Sequence, residues 1–439
     1  MAAYASLGTR VLQVLSRGMI QAEKFCQTGG AIGKLHAVLL AVFLAASASA
    51  DEPLGAVQAG PGEAIQIRSL MAPSVIPSIT RWLRYSTEIA VRDFGSIHGH
   101  KIELGAPIDT GCSPEGGRAG AEQIIADPNI LGVIGTLCSG AAVGASSVLS
   151  AAGLVMVSPA NVSPVLTSDL AGKAGSHYYP GYFRIANNGL YHAQAAAEFA
   201  YVELGLRRMV SLDDGDPYSA GSAAAFANAF RALGGEIAVA ARIEKGDTDM
   251  TDILAEFAAA VPDGIFFPLF ESEGLAFVQQ AQTVEGLRGA TLIADSALLV
   301  SAFLGAALSE GIYFAGPATT HRSGINGATG KNAETVLAVL DAVNNGHPTS
   351  PYWAHAYDSI TLLLSAIQAV GVEDDGKLQV DRAALRREIG ATSGFQGITG
   401  VLACDEYGDC GTGRVNIYHH TDSSITDSAL LPTVYRFTP

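Results

Sequence analysis

Residues Ile130–Asn161 read ILGVIGTLCSGAAVGASSVLSAAGLVMVSPAN, and the order of apolar and small residues here decides the fold. Ile130–Gly135 is a short apolar run with β-branched residues, the pattern of a strand buried on both faces. Thr136–Gly140 is small and polar and follows that strand's carboxyl end. Ala141–Ala151 predicts a helix and Leu154–Val157 the next strand. Strand, tight loop, helix and strand make one unit of an open parallel α/β sheet, where ligands sit outside the carboxyl ends of the strands. A helix opening there offers N–H groups without intrahelical acceptors and a positive dipole end, which suits a carboxylate or phosphate. Ser139 stands where it would cap this helix and touch such a ligand; capping alone is the plainer alternative.

The alternation continues in both directions. Upstream, Ile65–Met71 and Lys101–Leu104 read as strands, Ile79–Phe94 and Gly120–Ala126 as helices. A second series begins near Phe183. It has helices at Tyr191–Leu204, Ala220–Leu233, Thr251–Ala260 and Glu273–Val284. Its strands are Met209–Asp213, Ile237–Arg242, Gly264–Leu269, Thr291–Ala294 and Gly311–Ala315. Repeated βα units predict parallel sheets covered on both faces, with right-handed crossovers. Both series place small polar loops after strands (GTLCSG, SPANV, DDGDPY, IADS), so two facing lobes would enclose a cleft between strand ends. The last part differs: helices at Asn332–Asn345, Trp353–Val370 and Arg382–Ile389, then a ribbon with Gly turns. That predicts a return of the chain between the lobes.

The amino-terminal segment reads as a signal peptide over residues 1–50. Arg10, Arg17, Lys24 and Lys34 precede the apolar run Ala37–Ala46 and a Ser-Ala-Ser-Ala site before Asp51. The run is too short to span a bilayer as a stable helix. Cleavage after about Ala50 and a periplasmic or secreted protein are expected, a retained signal anchor being the alternative. Removal leaves about 390 residues, enough for two domains. The whole chain carries −16, and the segment holds four basic and one acidic residue, so the mature charge is −19. Such an acidic balance argues against nucleic acid and anionic membranes as partners. Residues 51–63 read as a linker, 64–184 with 317–413 as one lobe, and 185–316 with 414–439 as the other.

Cys112, Cys138, Cys404 and Cys410 remain after cleavage, an even number that suits an oxidising compartment. Four cysteines allow three connectivities. Cys404 and Cys410 flank the turn DEYGD, so local pairing is simplest, which leaves Cys112 with Cys138 beside Ser139. The alternative, a four-cysteine metal site, lacks paired C-x2-C knuckles. No cofactor and no metal are expected. The chain has no G-x-S-x-G elbow, no H-E-x-x-H and no P-loop. Asp213, Asp214 and Asp216 lack the Gly and the closing Glu of an EF-hand loop and read as turn residues. His419 and His420 read as an exposed pair.

Several motifs together resemble the periplasmic substrate-binding proteins of branched-chain amino acid ABC importers. Thr87–Leu104 (TEIAVRDFGSIHGHKIEL) is similar to the family's helix, turn and "I-x-G-x-K-I-x-L" strand. Cys112 and the Cys138-Ser139 pair match its two cysteines. Ser158-Pro159-Ala160 matches "T/S-P-A". Phe395–Asp409 matches "F-x-G-x-T-G-x-L-x-x-D-x-x-G-D". The resemblance covers nearly all of residues 64–420. It implies a type I periplasmic binding fold, two doubly wound parallel-sheet lobes joined by three hinge crossovers, closing like a Venus flytrap.

What the family implies for single residues can be carried over by position. Ser139 and its N–H, with Gly140 beside it, would bind a ligand carboxylate, and the Ala160 carbonyl an ammonium. Val162 stands where a Thr is usual, so Asn161 or Ser163 would substitute. Tyr218 and Phe270 match the second-lobe aromatics, and Asp295 the acid that pairs the ammonium. Core or turn packing is the alternative for the two aromatics, and helix capping for Asp295. The Asp following Arg184 is replaced by Asn188, and the first-lobe Tyr by Pro77 or Ser78. These departures thin ammonium recognition from two acids to one. The expected function is a binding protein, not an enzyme, that captures a small carboxylate-bearing ligand such as an amino acid. It would be a monomer that delivers its ligand to the permease subunits of the importer. An aromatic acid or amide as ligand, and a sensory ligand module, are the alternatives.

Overall fold

The computed structural model describes residues 54–321, 324–344 and 346–439. The expected signal peptide and its cleavage site lie outside these residues. The first sheet has the order β3-β4-β2-β6-β7-β8. Its strands are β2 (Ile65–Met71), β3 (Ser96–Ile97), β4 (His100–Leu104), β6 (Ile130–Gly135), β7 (Val155–Ser158) and β8 (Tyr182–Arg184). All neighbours pair in parallel except the β3–β4 hairpin. Every residue of β6 and β7 is buried, as their unbroken apolar runs require of a doubly covered parallel sheet.

The helix Ser139–Ala151 lies hard against the helix Pro114–Ile125. A Cβ at Gly117 or Gly144 would run into the carbonyl oxygens of Ala141 and Pro114, so only glycine permits this approach. The helix Trp353–Val370, buried along most of its length, lies against the helix Pro77–Phe94, and Ser86 donates to the Trp353 carbonyl at 2.6 Å.

The second sheet has the order β10-β9-β11-β12-β13-β18-β19. Its parallel part comprises β9 (Arg208–Asp213), β10 (Glu236–Arg242), β11 (Gly264–Phe267), β12 (Thr291–Asp295) and β13 (Tyr313–Pro317). β18 (Val415–His419) and β19 (Thr433–Phe437) add antiparallel strands. The core behind this sheet is aromatic: Phe226 stacks on Phe266 at 4.3 Å between ring centroids.

The chain passes between the two sheets after β8, after β13 and before β18. Arg184, fully buried at the end of β8, locks the first passage to the third. It forms an ion pair with Asp409 and donates to the Ser163 carbonyl (2.7 Å) and to Thr167 (2.6 Å). Asn188 also donates to Asp409 at 2.9 Å. The position where the family's Asp was expected thus holds a second partner of Asp409, and it caps its own helix through Leu190 N.

Several expectations need correction. The segment read as a linker contains a strand, β1 (Ala56–Ala59), paired antiparallel with β15 (Lys377–Asp381), and Val57 is buried there. The helix read from Ala141 begins at Ser139, with Cys138 as its cap residue, so Ser139 does not cap it. The helices read from Gly120 and Ala220 begin at Pro114 and Pro217, because Ser113 and Asp216 cap them and proline favours the first turn. His420 is buried rather than exposed, and His419 stacks on Tyr313 at 4.2 Å.

Candidate functional site

The carboxyl ends of both sheets meet across one cavity of about 50 Å³, where a single water needs roughly 10–15 Å³. The first lobe contributes Leu137, Cys138 and Ser139 after β6, Ala160 and Val162 after β7, and Ile76, Ser78 and Ile79 after β2. The second lobe contributes Tyr218 after β9, Phe270 and Glu271 after β11, and Ser296, Ala297 and Val300 after β12. Tyr352, at the start of the helix Trp353–Val370, completes it.

The first wall is held by short, local bonds. Thr136 Oγ1 donates to the Cys138 carbonyl at 2.8 Å, and Ser158 Oγ to the Thr136 carbonyl at 2.9 Å. Ser139 Oγ accepts from Ser163 N at 3.3 Å, which leaves its proton to donate elsewhere. Disulfides join Cys112 to Cys138 and Cys404 to Cys410. The first of them ties the loop before the helix Pro114–Ile125 to the residue before Ser139. With the first-turn N–H groups of its helix lacking intrahelical acceptors, this corner can take an anion.

The second wall is aromatic. Tyr218 and Phe270 lie 5.3 Å apart between ring centroids, and the Tyr218 hydroxyl accepts from Ala297 N at 3.4 Å. Burial pushes the Tyr218 phenol well above its usual range, so it stays protonated. Lys245 Nζ sits 4.7 Å over the Phe270 ring and donates to Asp216 at 2.8 Å and to the Cys112 carbonyl at 3.2 Å. That last bond crosses between lobes. So do Ser163 Oγ to the Pro217 carbonyl (2.7 Å) and Tyr352 to Ser296 (2.9 Å). In the acidic turn, Asp216 caps the helix Pro217–Ala232 and holds Lys245, while Asp214 accepts from Asp216 N at 3.0 Å through Oδ1 and leaves Oδ2 buried without a partner among the described residues.

Of the residues expected to touch a ligand, Ser139, Ala160, Val162, Tyr218 and Phe270 line the cavity. Gly140, Asn161 and Asp295 do not. Gly140 packs against Asp216, where a Cβ would come within 2.8 Å of the carboxylate. Asn161 is turned into the lobe and accepts from Tyr182 (3.1 Å) and Thr136 (3.2 Å). Asp295 is fully buried, bonded to His192 Nδ1 at 2.8 Å, and caps the turn Ser296–Leu298 through Ser296 N at 2.6 Å. Both bonds fall on Oδ1; Oδ2 is buried without a hydrogen-bond partner among the described residues.

Sequence reasoning missed Glu271, Ser296 and Tyr352. The signal for Glu271 was its place directly after Phe270; Tyr352 carried none, because its helix reads as pure core. No cluster of three or more His, Cys, Asp or Glu suited to a metal occurs among the described residues. No helix among them is long and apolar enough to cross a membrane.

Comparison with known proteins agrees with this architecture. The chain is 24% identical to the Leu/Ile/Val-binding protein homolog 3 of Brucella melitensis over 335 residues, 75% of this chain and 83% of that protein. A leucine binding protein from Thermotoga maritima superposes with a TM-score of 0.72 at 22% identity, covering 85% of this chain and 99% of that one. A solute binding protein from R. palustris in complex with benzoate gives a TM-score of 0.70 at 17% identity, covering 86% and 97%. Residues 78–415 match the periplasmic binding protein family. With two hinged α/β lobes around one cavity and a family match over most of its length, the chain belongs to the periplasmic binding proteins of the type I fold.

Proposed function

We propose that this chain is an extracytoplasmic solute-binding protein that captures a small carboxylate-bearing ligand with an apolar body, a branched-chain or other amino acid. It then delivers that ligand to the permease subunits of an ABC importer. The observation that carries this reading is the cavity's make-up: Ser139 and the start of its helix on one side, aliphatic and aromatic side chains around the rest. The acid end docks on the Ser139 hydroxyl and the N–H groups of that first turn. Ala160 and Val162 flank it, and Tyr218 and Phe270 close over the apolar body from the second lobe. A ligand that touches both walls favours the closed arrangement over the open one, a population shift about the crossovers. The names of the relatives support a binding role without chemistry. An export signal over residues 1–50 fits the family's periplasmic setting.

A second reading, an aromatic acid without an ammonium, is favoured by one observation: Asp295 is absent from the cavity lining, its Oδ1 bonded to His192. A thermal-shift screen of branched-chain and aromatic amino acids, aromatic acids and small amides tests both. A ligand at a hundred times its Kd stabilises by about 2.7 kcal/mol, which moves the midpoint by several degrees. If no carboxylate in the panel moves it, the reading fails.

A further inference from the structure

We infer that Glu271, the residue after Phe270, receives a positively charged group of the solute. This rests on the binding reading above. Glu271 lines the cavity and is half-buried at the first position of the helix Glu271–Ala281. No hydrogen bond or ion pair joins it to any other described residue. Its neighbours are already committed. Lys245 is held by Asp216 and the Cys112 carbonyl, and Glu273 accepts from Gly246 N at 2.7 Å and from Ser272 at 2.5 Å.

The helix start favours an ionised acid at this position. Burial alone works against it, raising the carboxyl above its usual range. A carboxylate set in a mainly apolar surface without a partner costs free energy, and a cation brought by the ligand removes that cost. Ser139 belongs to one lobe and Glu271 to the other. A zwitterion that meets both therefore bridges the lobes with its two charges, whereas a plain carboxylate engages only one. The solute class that follows is an apolar amino acid or another acid that carries an amine.

The test compares matched pairs by calorimetry: L-leucine with 4-methylpentanoate, and L-phenylalanine with 3-phenylpropanoate, with benzoate added. The wild-type chain is expected to prefer the amino acid of at least one pair by tenfold or more. Glu271→Gln should erase that preference, weakening the amino acid tenfold or more while the deaminated acid is unchanged or binds better. Glu271→Asp should retain part of it, which keeps the test valid if the glutamine variant folds poorly. Equal binding of the two members in both pairs, or a preference that survives Glu271→Gln, overturns the inference while the binding reading stands. Benzoate binding with no amino acid bound would do the same. Binding of none of the five compounds would count against the binding reading as well as the inference.

Discussion

The two walls of the cavity are built from different material. The first comes mainly from two loops near each other in sequence, Leu137–Ser139 and the loop of Ala160 and Val162, with Ile76, Ser78 and Ile79 beside them, and it is cross-tied by hydroxyls and by the Cys112–Cys138 disulfide. The second is assembled from separate segments and made of bulky side chains, Tyr218, Phe270 and Glu271, with Ser296 and Tyr352 meeting between the lobes. One wall is preorganised to hold a charge at fixed amides. The other supplies apolar area and shape. On the proposed reading, the first wall orients the ligand and the second closes over it.

The largest expected effect breaks the first wall. Replacing Cys112 and Cys138 by Ala should cost about 2–4 kcal/mol of unfolding free energy in a urea titration. The Cys404–Cys410 pair spans 6 residues against 26 for the first, so its removal should cost about 1 kcal/mol less. Equal losses from the two would show that loop closure does not govern their contribution.

The next effect belongs to the turn behind the second wall. Burial pushes the Asp214 carboxyl up from 3.8 to about 6. The folded chain therefore binds more protons than the unfolded one between about pH 4 and pH 6. Its stability falls as pH rises through that window and levels above it. Asp214→Asn removes this dependence and should gain about 1–3 kcal/mol at pH 7.5 relative to pH 4, measured as the difference in unfolding free energy from wild type. An Asn variant whose advantage is the same at both pH values would contradict the assignment.

The smallest effect sharpens the contrast. Asp295→Asn should change amino-acid affinity by less than about threefold, below roughly 0.7 kcal/mol, while loosening the bond to His192 at a cost of about 1 kcal/mol in stability. A tenfold loss of affinity with unchanged stability would place Asp295 on the ligand after all.

The same contrast explains what could be read from the chain. The βα alternation was legible because β6 and β7 are unbroken apolar runs between small polar loops. The first wall was legible because one 32-residue stretch holds most of it. Helix starts slipped by several residues where capping residues and first-turn prolines precede the apolar pattern, as at Ser113-Pro114 and Asp216-Pro217. Strand β1 was hidden because its partner β15 lies at the far end of the chain. The second wall was only half legible. Phe270 and Tyr218 lie within a few residues of their strand ends, but Asp295, bonded to His192 from another segment, is absent from the cavity lining. Nothing in the local sequence of Tyr352 says that its hydroxyl reaches Ser296 in the other lobe.

The most direct measurement is calorimetric titration of wild type and Ser139→Ala with the carboxylate ligand that gives the largest thermal shift. Loss of a hydrogen bond to a charged group, about 1.5–3 kcal/mol, should weaken binding by tenfold or more. The same heat of unfolding in both proteins would show that the fold is intact. An affinity unchanged by the substitution would mean that the acid end of the ligand docks elsewhere than at the start of the helix Ser139–Ala151.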